Sequence, residues 1–507
     1  MTVPRPDLPL VSRAREHAGR LAIVDAAGGH AYAALLDASA RVASALLEGK
    51  TELEEARVCF LVPPSFEYAA VQWGVWRAGG IAVPLAVSHP PAELEYAIGD
   101  ADAAIVVSHP HFADVLRPLA EAHGARFLTT DEALAAEPAA LPSVDEGRRA
   151  MMLYTSGTTG RPKGVVWTHA NLRAQLETLT EAWGWRGDDR TLLVLPLHHV
   201  HGIVNILSCA LWNGAVCEVQ AKFDAEAVWA RIESGELTVF MAVPTVYNRL
   251  VAAWEAAPPE RRERMSAGCG AMRLMVSGSA ALPVGTLERW RQISGHTLLE
   301  RYGMTEIGMA LGNPLHGERR PGFVGVPLPG VEVRLVEEDG SPAAPGAPGE
   351  IEVRGPGVFL EYWRRPEATV EAFREGRWFR TGDVAVVEDG SYRILGRRSV
   401  DIIKTGGFKV SALEIEEVLR THPAVAECAV VGVEDPEWGE RVCAAVELRG
   451  ALTLDALQPW ARERLAPYKL PRALLAVDAL PRNAMGKVVK PEVARLFAAV
   501  PGGMYQG

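Results

Sequence analysis

Eleven residues, YTSGTTGRPKG at 154–164, carry five hydroxyl groups, three glycines and one lysine. Small residues let backbone N–H groups approach phosphate oxygens, hydroxyls donate further hydrogen bonds, and Lys163 supplies positive charge. No GK[ST] follows the glycines, so the segment is not a Walker A loop. The pattern predicts a phosphate-binding loop of another type, and a plain surface loop is the alternative.

A second segment, ERYGMTE at 300–306, places an arginine beside glycine, threonine and glutamate. The Glu306 carboxylate is a hard oxygen ligand of the kind that Mg²⁺ prefers. A buried guanidinium at Arg301 is costly unless an anion meets it. The segment therefore predicts a metal or nucleotide site with a second anion beside it.

Alternating strands and helices are expected to position both segments. Short apolar runs such as ARVCFLVP at 56–63 predict buried strands, and Ser65 predicts the N-cap of a helix that Gly79 ends. A second round of strands is predicted in TLLVLPL, TVFMAVP and LMVSGSA. Such alternation predicts an α/β fold, with doubly wound sheets in a large N-terminal domain.

The pattern changes after about residue 320, where VEVRLVEEDG and EIEVRG alternate apolar and polar residues. Alternation of this kind predicts antiparallel strands, here a small β-barrel-like portion over about 320–397 that completes an N-terminal domain of 1–397. Ser411 and Glu414 predict a capping box at the start of a helix. A small mobile α+β domain is expected over 401–507, with a hinge at about 398–401.

Composition limits the class of protein. The chain has 507 residues and a net charge of -11, which argues against general binding to nucleic acids or anionic membranes. Its six cysteines are scattered, which indicates a reducing compartment. Because neither a signal peptide nor a long apolar run is visible, a soluble cytoplasmic enzyme is predicted, either monomeric or dimeric.

The loop at 154–164 resembles the phosphate-binding signature of the adenylate-forming superfamily, which includes acyl-CoA synthetases, luciferases and adenylation domains of peptide synthetases. Six further segments resemble the other signatures of that superfamily in the same order: LPLHHVHG (195–202), VSGSAALP (276–283), ERYGMTE (300–306), FRTGD (379–383), GRRSVDIIKTGGFKVSALEIE (396–416) and PRNAMGKV (481–488). The resemblance covers nearly the whole chain. Within the superfamily the chain is similar to malonyl-CoA and methylmalonyl-CoA synthetases.

The resemblance implies a two-step reaction. A carboxylate attacks the ATP α-phosphate and releases pyrophosphate, and the thiol of CoA then displaces AMP; ATP, Mg²⁺ and CoA are the implied small molecules. The implied catalytic residues are Lys487, Glu306, Thr158 and Lys163, with Glu306 and Thr158 as metal ligands. The implied ATP- or AMP-binding residues are Thr155, Ser156, Gly157, Thr159, Ser277, Gly278, Ser279, Ala280, Tyr302, Gly303, Thr305, Asp383 and Arg397. The residues implied for CoA are Lys404, Gly406 and Gly407.

Arg301 narrows the acid. Superfamily members that use fatty or aryl acids have a small or uncharged residue there, whereas a guanidinium suits a second carboxylate in a bidentate pair. We therefore expect a short dicarboxylate, malonate or its 2-methyl derivative, whose thioester would serve fatty-acid metabolism or polyketide synthesis. The residues expected around it are Arg301, Arg249, His199, Val200, His201 and Met304. The alternative is that Arg301 pairs with a protein carboxylate such as Glu300.

Two other functions stay open at this point. The chain could ligate another short carboxylic acid, or transfer the acyl group to a carrier-protein thiol. It could also be a non-catalytic nucleotide-binding sensor or scaffold. A lysine at position 487, on a mobile domain, argues against a non-catalytic sensor or scaffold, because nucleotide binding alone does not require this lysine.

Overall fold

The computed structural model describes residues 7–155, 162–405, 408–435, 438–483 and 486–499. Strands and helices alternate up to residue 312. The strands are β1 (Leu21–Asp25), β2 (Gly28–Ala31), β3 (Arg57–Leu61), β4 (Ile81–Pro84), β5 (Ile105–Ser108), β6 (Arg126–Thr129), β7 (Arg149–Thr155), β8 (Lys163–Thr168), β9 (Arg190–Leu193), β10 (Val216–Val219), β11 (Val239–Ala242), β12 (Leu274–Ser277), β13 (Leu299–Met304) and β14 (Gly308–Gly312). The helices are α1 (Pro9–Glu16), α2 (Tyr32–Leu47), α3 (Phe66–Arg77), α4 (Pro91–Ala101), α5 (Ala113–Ala122), α6 (Thr130–Leu134), α7 (His169–Trp183), α8 (Cys209–Trp212), α9 (Ala225–Glu233), α10 (Pro244–Ala256), α11 (Pro259–Gly268) and α12 (Val284–Ser294), with a π-helix at His201–Ser208 before α8.

Two large sheets organise this part of the chain. One has the order β18-β8-β7-β4-β3-β5-β6, where β18 is Glu361–Tyr362, and is parallel from β7 to β6. The other has the order β15-β14-β13-β12-β11-β9-β10-β1-β2, where β15 is Val326–Pro327, and is parallel from β13 to β1. The predicted α/β class with doubly wound sheets is thus confirmed.

Helix α3 illustrates how the sequence builds the interior. Ser65 accepts a hydrogen bond from the Tyr68 N–H at 3.3 Å, so the predicted N-cap is present. Trp73 and Trp76 of α3 are fully buried. A Cβ at Gly74 would lie 2.5 Å from Val42 of α2, so glycine lets the two helices approach closely. The core therefore extends through α2 and α3.

Antiparallel strands dominate after residue 312, as the alternating pattern predicts. The strands are β15 (Val326–Pro327), β16 (Glu332–Val336), β17 (Gly349–Arg354), β18 (Glu361–Tyr362), β19 (Phe373–Arg374), β20 (Trp378–Glu388), β21 (Ser391–Arg397), β22 (Ile402–Thr405), β23 (Phe408–Ser411), β24 (Val425–Asp435), β25 (Gly439–Leu448) and β26 (Ala473–Ala476). The helices are α13 (Pro366–Ala372), α14 (Ala412–Arg420), α15 (Leu454–Arg462) and α16 (Lys490–Ala499). Strands β16, β17, β19, β20 and β21 form one sheet, and β22 to β26 form the sheet of the C-terminal part.

The predicted capping box at the start of α14 forms only in part. Ser411 accepts a hydrogen bond from the Glu414 N–H at 3.2 Å. The Glu414 carboxylate pairs instead with Lys469 Nζ at 2.5 Å. The carboxylate that the local pattern predicts to cap the helix is therefore paired with Lys469, which is distant in the sequence.

Candidate active site

Strand β13 carries the arginine of the ERYGMTE segment between two neighbouring strands. It runs parallel to β12 and antiparallel to β14. Successive side chains of a strand point to opposite faces, so Glu300 and Arg301 diverge. A Cβ at Gly278, just after β12, would lie 2.5 Å from Arg301 Nε. The missing side chain at Gly278 therefore makes the space that the guanidinium occupies.

Arg301 is buried, and no carboxylate among the described residues pairs with it. It is 3% exposed, and its Nη2 donates to Ser279 Oγ at 3.2 Å. Within the described part of the chain, its Nε has no hydrogen-bond partner and its guanidinium forms no ion pair. Burial lowers the pKa of the guanidinium to about 9, so it remains charged at neutral pH. A buried cation of this kind requires an anion, and the residues that the structure describes do not supply one.

The alternative pairing of Arg301 with Glu300 is wrong. Glu300 Oε1 accepts a hydrogen bond from the Leu282 N–H at 3.1 Å, while Oε2 has no partner among the described residues. Burial raises the pKa of this carboxyl to about 8. Glu300 is therefore mostly neutral at pH 7, and the structure gives it a place in the wall of the site rather than the role of ion-pair partner that the alternative assigned to it.

His201 and Ser279 complete the wall beside Arg301. His201 begins the π-helix, a local distortion frequent at functional sites. Its Nδ1 is 3.1 Å from Ser279 Oγ, and its Nε2 lacks a partner within the described ranges. Burial and the charge of Arg301 lower the pKa of His201 well below its usual range, so the imidazole is neutral. Ser279, with a left-handed backbone at φ 71°, thus joins both side chains.

The other residues predicted around the acid are placed differently. Val200 is buried and Met304 is half-buried, and burial lowers the pKa of His199 to about 4. Arg249 is exposed on α10, and its guanidinium lies 5.9 Å from the centre of the Phe223 ring. Arg249 is not part of the hydrogen-bonded group around Ser279.

Asp383 lies at the centre of a second group. Tyr302 donates to Asp383 Oδ2 at 2.6 Å, and Arg397 Nε donates to Asp383 Oδ1 at 2.9 Å. Burial lowers the pKa of Arg397, but the Asp383 carboxylate outweighs this and raises it overall. The structure therefore brings together three residues predicted for the nucleotide, from β13, β20 and β21. Thr305 of the same segment accepts from Trp167 Nε1 through its carbonyl at 2.8 Å.

Glu306 adjoins Lys163 through a residue that the sequence analysis missed. Tyr362 donates to Glu306 Oε1 at 2.9 Å, and Lys163 Nζ lies 5.0 Å from the centre of the Tyr362 ring. Pairing of β18 with β8 brings Tyr362 to this position. Burial raises the pKa of Glu306, which is 6% exposed. The residues around Tyr362 in the sequence form no recognisable motif. The role of Tyr362 beside Glu306 therefore becomes visible only when the pairing of β18 with β8 is known.

The remaining predicted residues are dispersed. Thr155 ends β7, Ser277 is buried at the end of β12, and Ala280 is exposed. Lys487 is exposed; its N–H donates to Asn483 Oδ1 at 3.0 Å, and Lys404 is exposed on β22. Four loop residues and two glycines of the CoA prediction lie outside the described residues: Ser156, Gly157, Thr158, Thr159, Gly406 and Gly407. No described contact joins Lys487 to Asp383 or Glu306.

A comparison with known protein families identifies the family to which a chain with these clusters of residues belongs. Residues 10–363 match the AMP-binding enzyme family, and residues 414–487 match the AMP-binding enzyme C-terminal domain. The chain belongs to the AMP-binding enzyme family. The resemblance found in the sequence is thereby confirmed for more than half of the chain.

Named members of this family are similar over nearly the whole length. The mitochondrial malonate–CoA ligase ACSF3 of Mus musculus is 48% identical over 526 residues, covering 96% of this chain and 90% of that protein. The human protein of the same name is 46% identical, with coverage of 96% and 92%. ATP-bound MatB from Rhodopseudomonas palustris has a TM-score of 0.90 and 36% identity, covering 97% of this chain and 99% of that one. Apo MatB from the same organism gives a TM-score of 0.81.

The predicted cytoplasmic location is wrong, because these two animal members of the family are mitochondrial by name. All six cysteines are buried and free, which agrees with a reducing environment. More than one compartment meets that condition, so cysteine usage could not distinguish between them. Within the described ranges, no helix combines the length and apolar character needed to cross a bilayer.

Proposed function

We propose that this chain is an ATP-dependent acid–thiol ligase that converts malonate and CoA into malonyl-CoA through malonyl-adenylate, releasing AMP and pyrophosphate. The observation that carries the choice of acid is Arg301, a buried guanidinium that has no carboxylate partner among the described residues. Membership of the AMP-binding enzyme family and similarity to malonate–CoA ligases support the same reaction. Methylmalonate is proposed as a second substrate, and the thioester would supply fatty-acid or polyketide synthesis.

Arg301 binds the distal carboxylate of the acid in this proposal. Its Nε is unpaired and its Nη2 is held by Ser279, so the guanidinium is oriented before the acid arrives. Neutral His201 adds a polar atom without competing for the anion. Val200 and Met304 close the pocket at a short chain length. Arg249, exposed on α10, is the second proposed partner of the distal carboxylate.

The nucleotide would bind along the Asp383 and Glu306 groups. Asp383 accepts hydrogen bonds from the ribose hydroxyls, with Tyr302 and Arg397 holding the carboxylate in place. The buried Glu306 carboxylate suits Mg²⁺, together with Thr158 and phosphate oxygens. When bound, Mg²⁺ neutralises phosphate charge. Lys163 and the loop that precedes it bind the β- and γ-phosphates.

The second domain would serve both steps. We propose an N-terminal domain of 1–397, a hinge at about 398–401 and a mobile domain of 401–507. Lys487 then bridges the α-phosphate and the reacting carboxylate in the first step. In the second step, Lys404, Gly406 and Gly407 lie along the pantetheine arm of CoA.

Replacing Arg301 by alanine tests the acid. We expect kcat/KM for malonate to fall by about 10²–10⁴-fold, or roughly 3–5 kcal/mol, because the distal carboxylate loses the buried cation proposed to bind it. Acetate should be used better relative to malonate. The measurement is acid-dependent pyrophosphate release across a panel of mono- and dicarboxylic acids, with CoA or a carrier protein as the acceptor.

Arg249→Ala is the matched control, since it removes an exposed arginine of the second predicted position. It should change malonate use far less than Arg301→Ala does. Unchanged discrimination between malonate and acetate in Arg301→Ala would end the dicarboxylate assignment. Acyl transfer to a carrier protein in preference to CoA would favour the alternative acceptor.

A further inference from the structure

A buried lysine of the C-terminal part has no role in the reaction as proposed above. Lys490 is the first residue of α16, three residues after Lys487. Its Nζ lies 2.5 Å from Asp401 Oδ1 and 2.7 Å from Glu416 Oε1, and its side chain is 11% exposed. Both carboxylates are also largely buried, so the three charges depend on one another.

The two carboxylates belong to different parts of the molecule. Glu416 is inside α14, and its Oε1 also accepts the Val430 N–H of β24 at 2.8 Å. That half of the contact holds the C-terminal part together. Asp401 lies in the proposed hinge instead, and its Oδ2 accepts the Arg397 N–H at 2.9 Å. Lys490 therefore connects the interior of one domain to the segment about which that domain would turn.

The hinge half of the contact continues to the nucleotide group. Arg397, whose N–H binds Asp401, donates through Nε to Asp383 Oδ1 at 2.9 Å. The Asp401 N–H also donates to the Arg397 carbonyl at 2.7 Å. Gly396 has φ +125°, and a Cβ there would lie 2.3 Å from Asp401 Cβ, so the hinge fits closely against β21. A continuous set of contacts thus joins Lys490 to Asp383.

We propose that Lys490 is a positioning residue for the first half-reaction: its pairing with Asp401 holds the hinge in the arrangement described above. That arrangement is more similar to ATP-bound than to apo MatB. Without Lys490, the buried Asp401 carboxylate keeps the Arg397 N–H but loses its cation, and a turn of the hinge that hydrates the carboxylate becomes favourable. The small domain then spends less time where Lys487 can act. This inference rests on the two-step reaction proposed above.

Lys490→Met tests the inference because it keeps the length of the side chain and removes the charge. The first half-reaction is measured by malonate-dependent exchange between ATP and pyrophosphate. The second is measured in a single turnover from supplied malonyl-adenylate and CoA. We expect the first rate to fall about 10–100-fold and the second by less than about threefold, so that their ratio changes. Lys490→Arg should restore most of the first rate.

Two further variants separate hinge from interior. Asp401→Asn removes the hinge partner and should reproduce the altered ratio, and the double variant with Lys490→Met should be no worse than the more impaired single one. Glu416→Gln is the matched control, because it removes the other carboxylate of the same lysine. It should lower the Tm and leave the ratio of the two rates unchanged.

An equal fall of both rates in Lys490→Met would overturn the inference, as would an altered ratio in Glu416→Gln of the same size. An unchanged first rate in Asp401→Asn would overturn it too, and this variant carries the test if Lys490→Met does not fold. A wild-type enzyme inactive with malonate but active with another acid would reject only the proposed substrate. The ratio is then measured with that acid.

Discussion

Two adjacent buried residues of β13 differ in their ionisation state at neutral pH. Arg301 keeps its charge in a buried position, whereas burial and the charge of Glu417 raise the pKa of Glu300 to about 8. The Leu282 N–H opposes this rise by binding the carboxylate. A neutral acid at one position and an unpaired cation at the next follow from the alternation of side chains along the strand.

Glu300→Gln should alter how stability depends on pH. The carboxyl pKa is raised from 4.5 to about 8 in the folded protein. Between these two pH values, the carboxyl group keeps its proton in the folded state and has lost it in the unfolded state. The free energy of unfolding of the wild type therefore falls as pH rises through this range. A glutamine lacks this proton, so the Tm of the variant minus that of the wild type should increase between pH 5 and pH 8.

The measurement is thermal denaturation of the ligand-free protein at a series of pH values. Glu263→Gln, an exposed glutamate on α11, is the control and should show no such trend. A Tm difference for Glu300→Gln that is constant with pH would mean that Glu300 is ionised in the folded protein.

At the scale of elements, the site depends on how the turn after β12 meets β13. Three contributions converge there: space at Gly278, the hydroxyl of Ser279, and the guanidinium of Arg301. The π-helix brings His201 to the same hydroxyl. The position of the guanidinium is thus set by a turn of the neighbouring strand as much as by its own strand.

Gly278→Ala tests this dependence. Its Cβ would meet the Arg301 side chain at 2.5 Å while the backbone conformation suits alanine, so the protein should fold with Arg301 displaced. We expect kcat/KM for malonate to fall by about tenfold or more at saturating ATP, and that for acetate to fall less. Gly270→Ala is the control, because no atom lies within 4 Å of its added Cβ. Equal losses for both acids would show that the turn acts through the nucleotide instead.

At the scale of the whole molecule, the C-terminal part contacts the N-terminal end of helix α12. Helix α12 has Pro283 as its N-cap, which supplies no side-chain hydrogen bond. Glu417 of α14 accepts the free Val284 N–H at 3.0 Å. A carboxylate is favourable at a helix N-terminus, so this contact stabilises the observed arrangement.

Glu417→Ala should slow the first half-reaction by about two- to fivefold, which corresponds to roughly 0.5–1 kcal/mol for a carboxylate at a helix end. The second half-reaction should be unaffected, because it uses a different arrangement of the small domain in the proposed mechanism. Pyrophosphate exchange and single-turnover thioester formation measure the two rates. Glu463→Ala is the control, as Glu463 pairs with its neighbour Arg464 at 3.1 Å. A similar loss in both variants would contradict the docking role.

Much of the fold could be predicted because its signals are local. The apolar run before Ser65 and the N-cap itself predicted β3 and α3, and alternation predicted the antiparallel pairing of β16 with β17. The order of short motifs predicted the family. Backbone periodicity, caps and turn residues act over a few positions, so they are legible in the chain itself. The half-formed capping box of Ser411 marks the limit, since Lys469 lies 55 residues away from Glu414.

Partnership between distant residues needed the tertiary structure. Arg301 stands beside Glu300 in the chain yet pairs with no carboxylate of the described ranges, while Tyr362 reaches Glu306 from 56 positions away. Lys490 contacts Asp401, a residue of the proposed hinge that no local pattern assigns to it. The type of a residue determines which partners it can bind. Its burial and its neighbours determine which partner it does bind, and these two properties arise only when strands and helices pack together. For that reason the reaction class could be inferred from the motifs alone, whereas the unpaired charge that favours a dicarboxylate emerged only from the packed β12, β13 and π-helix.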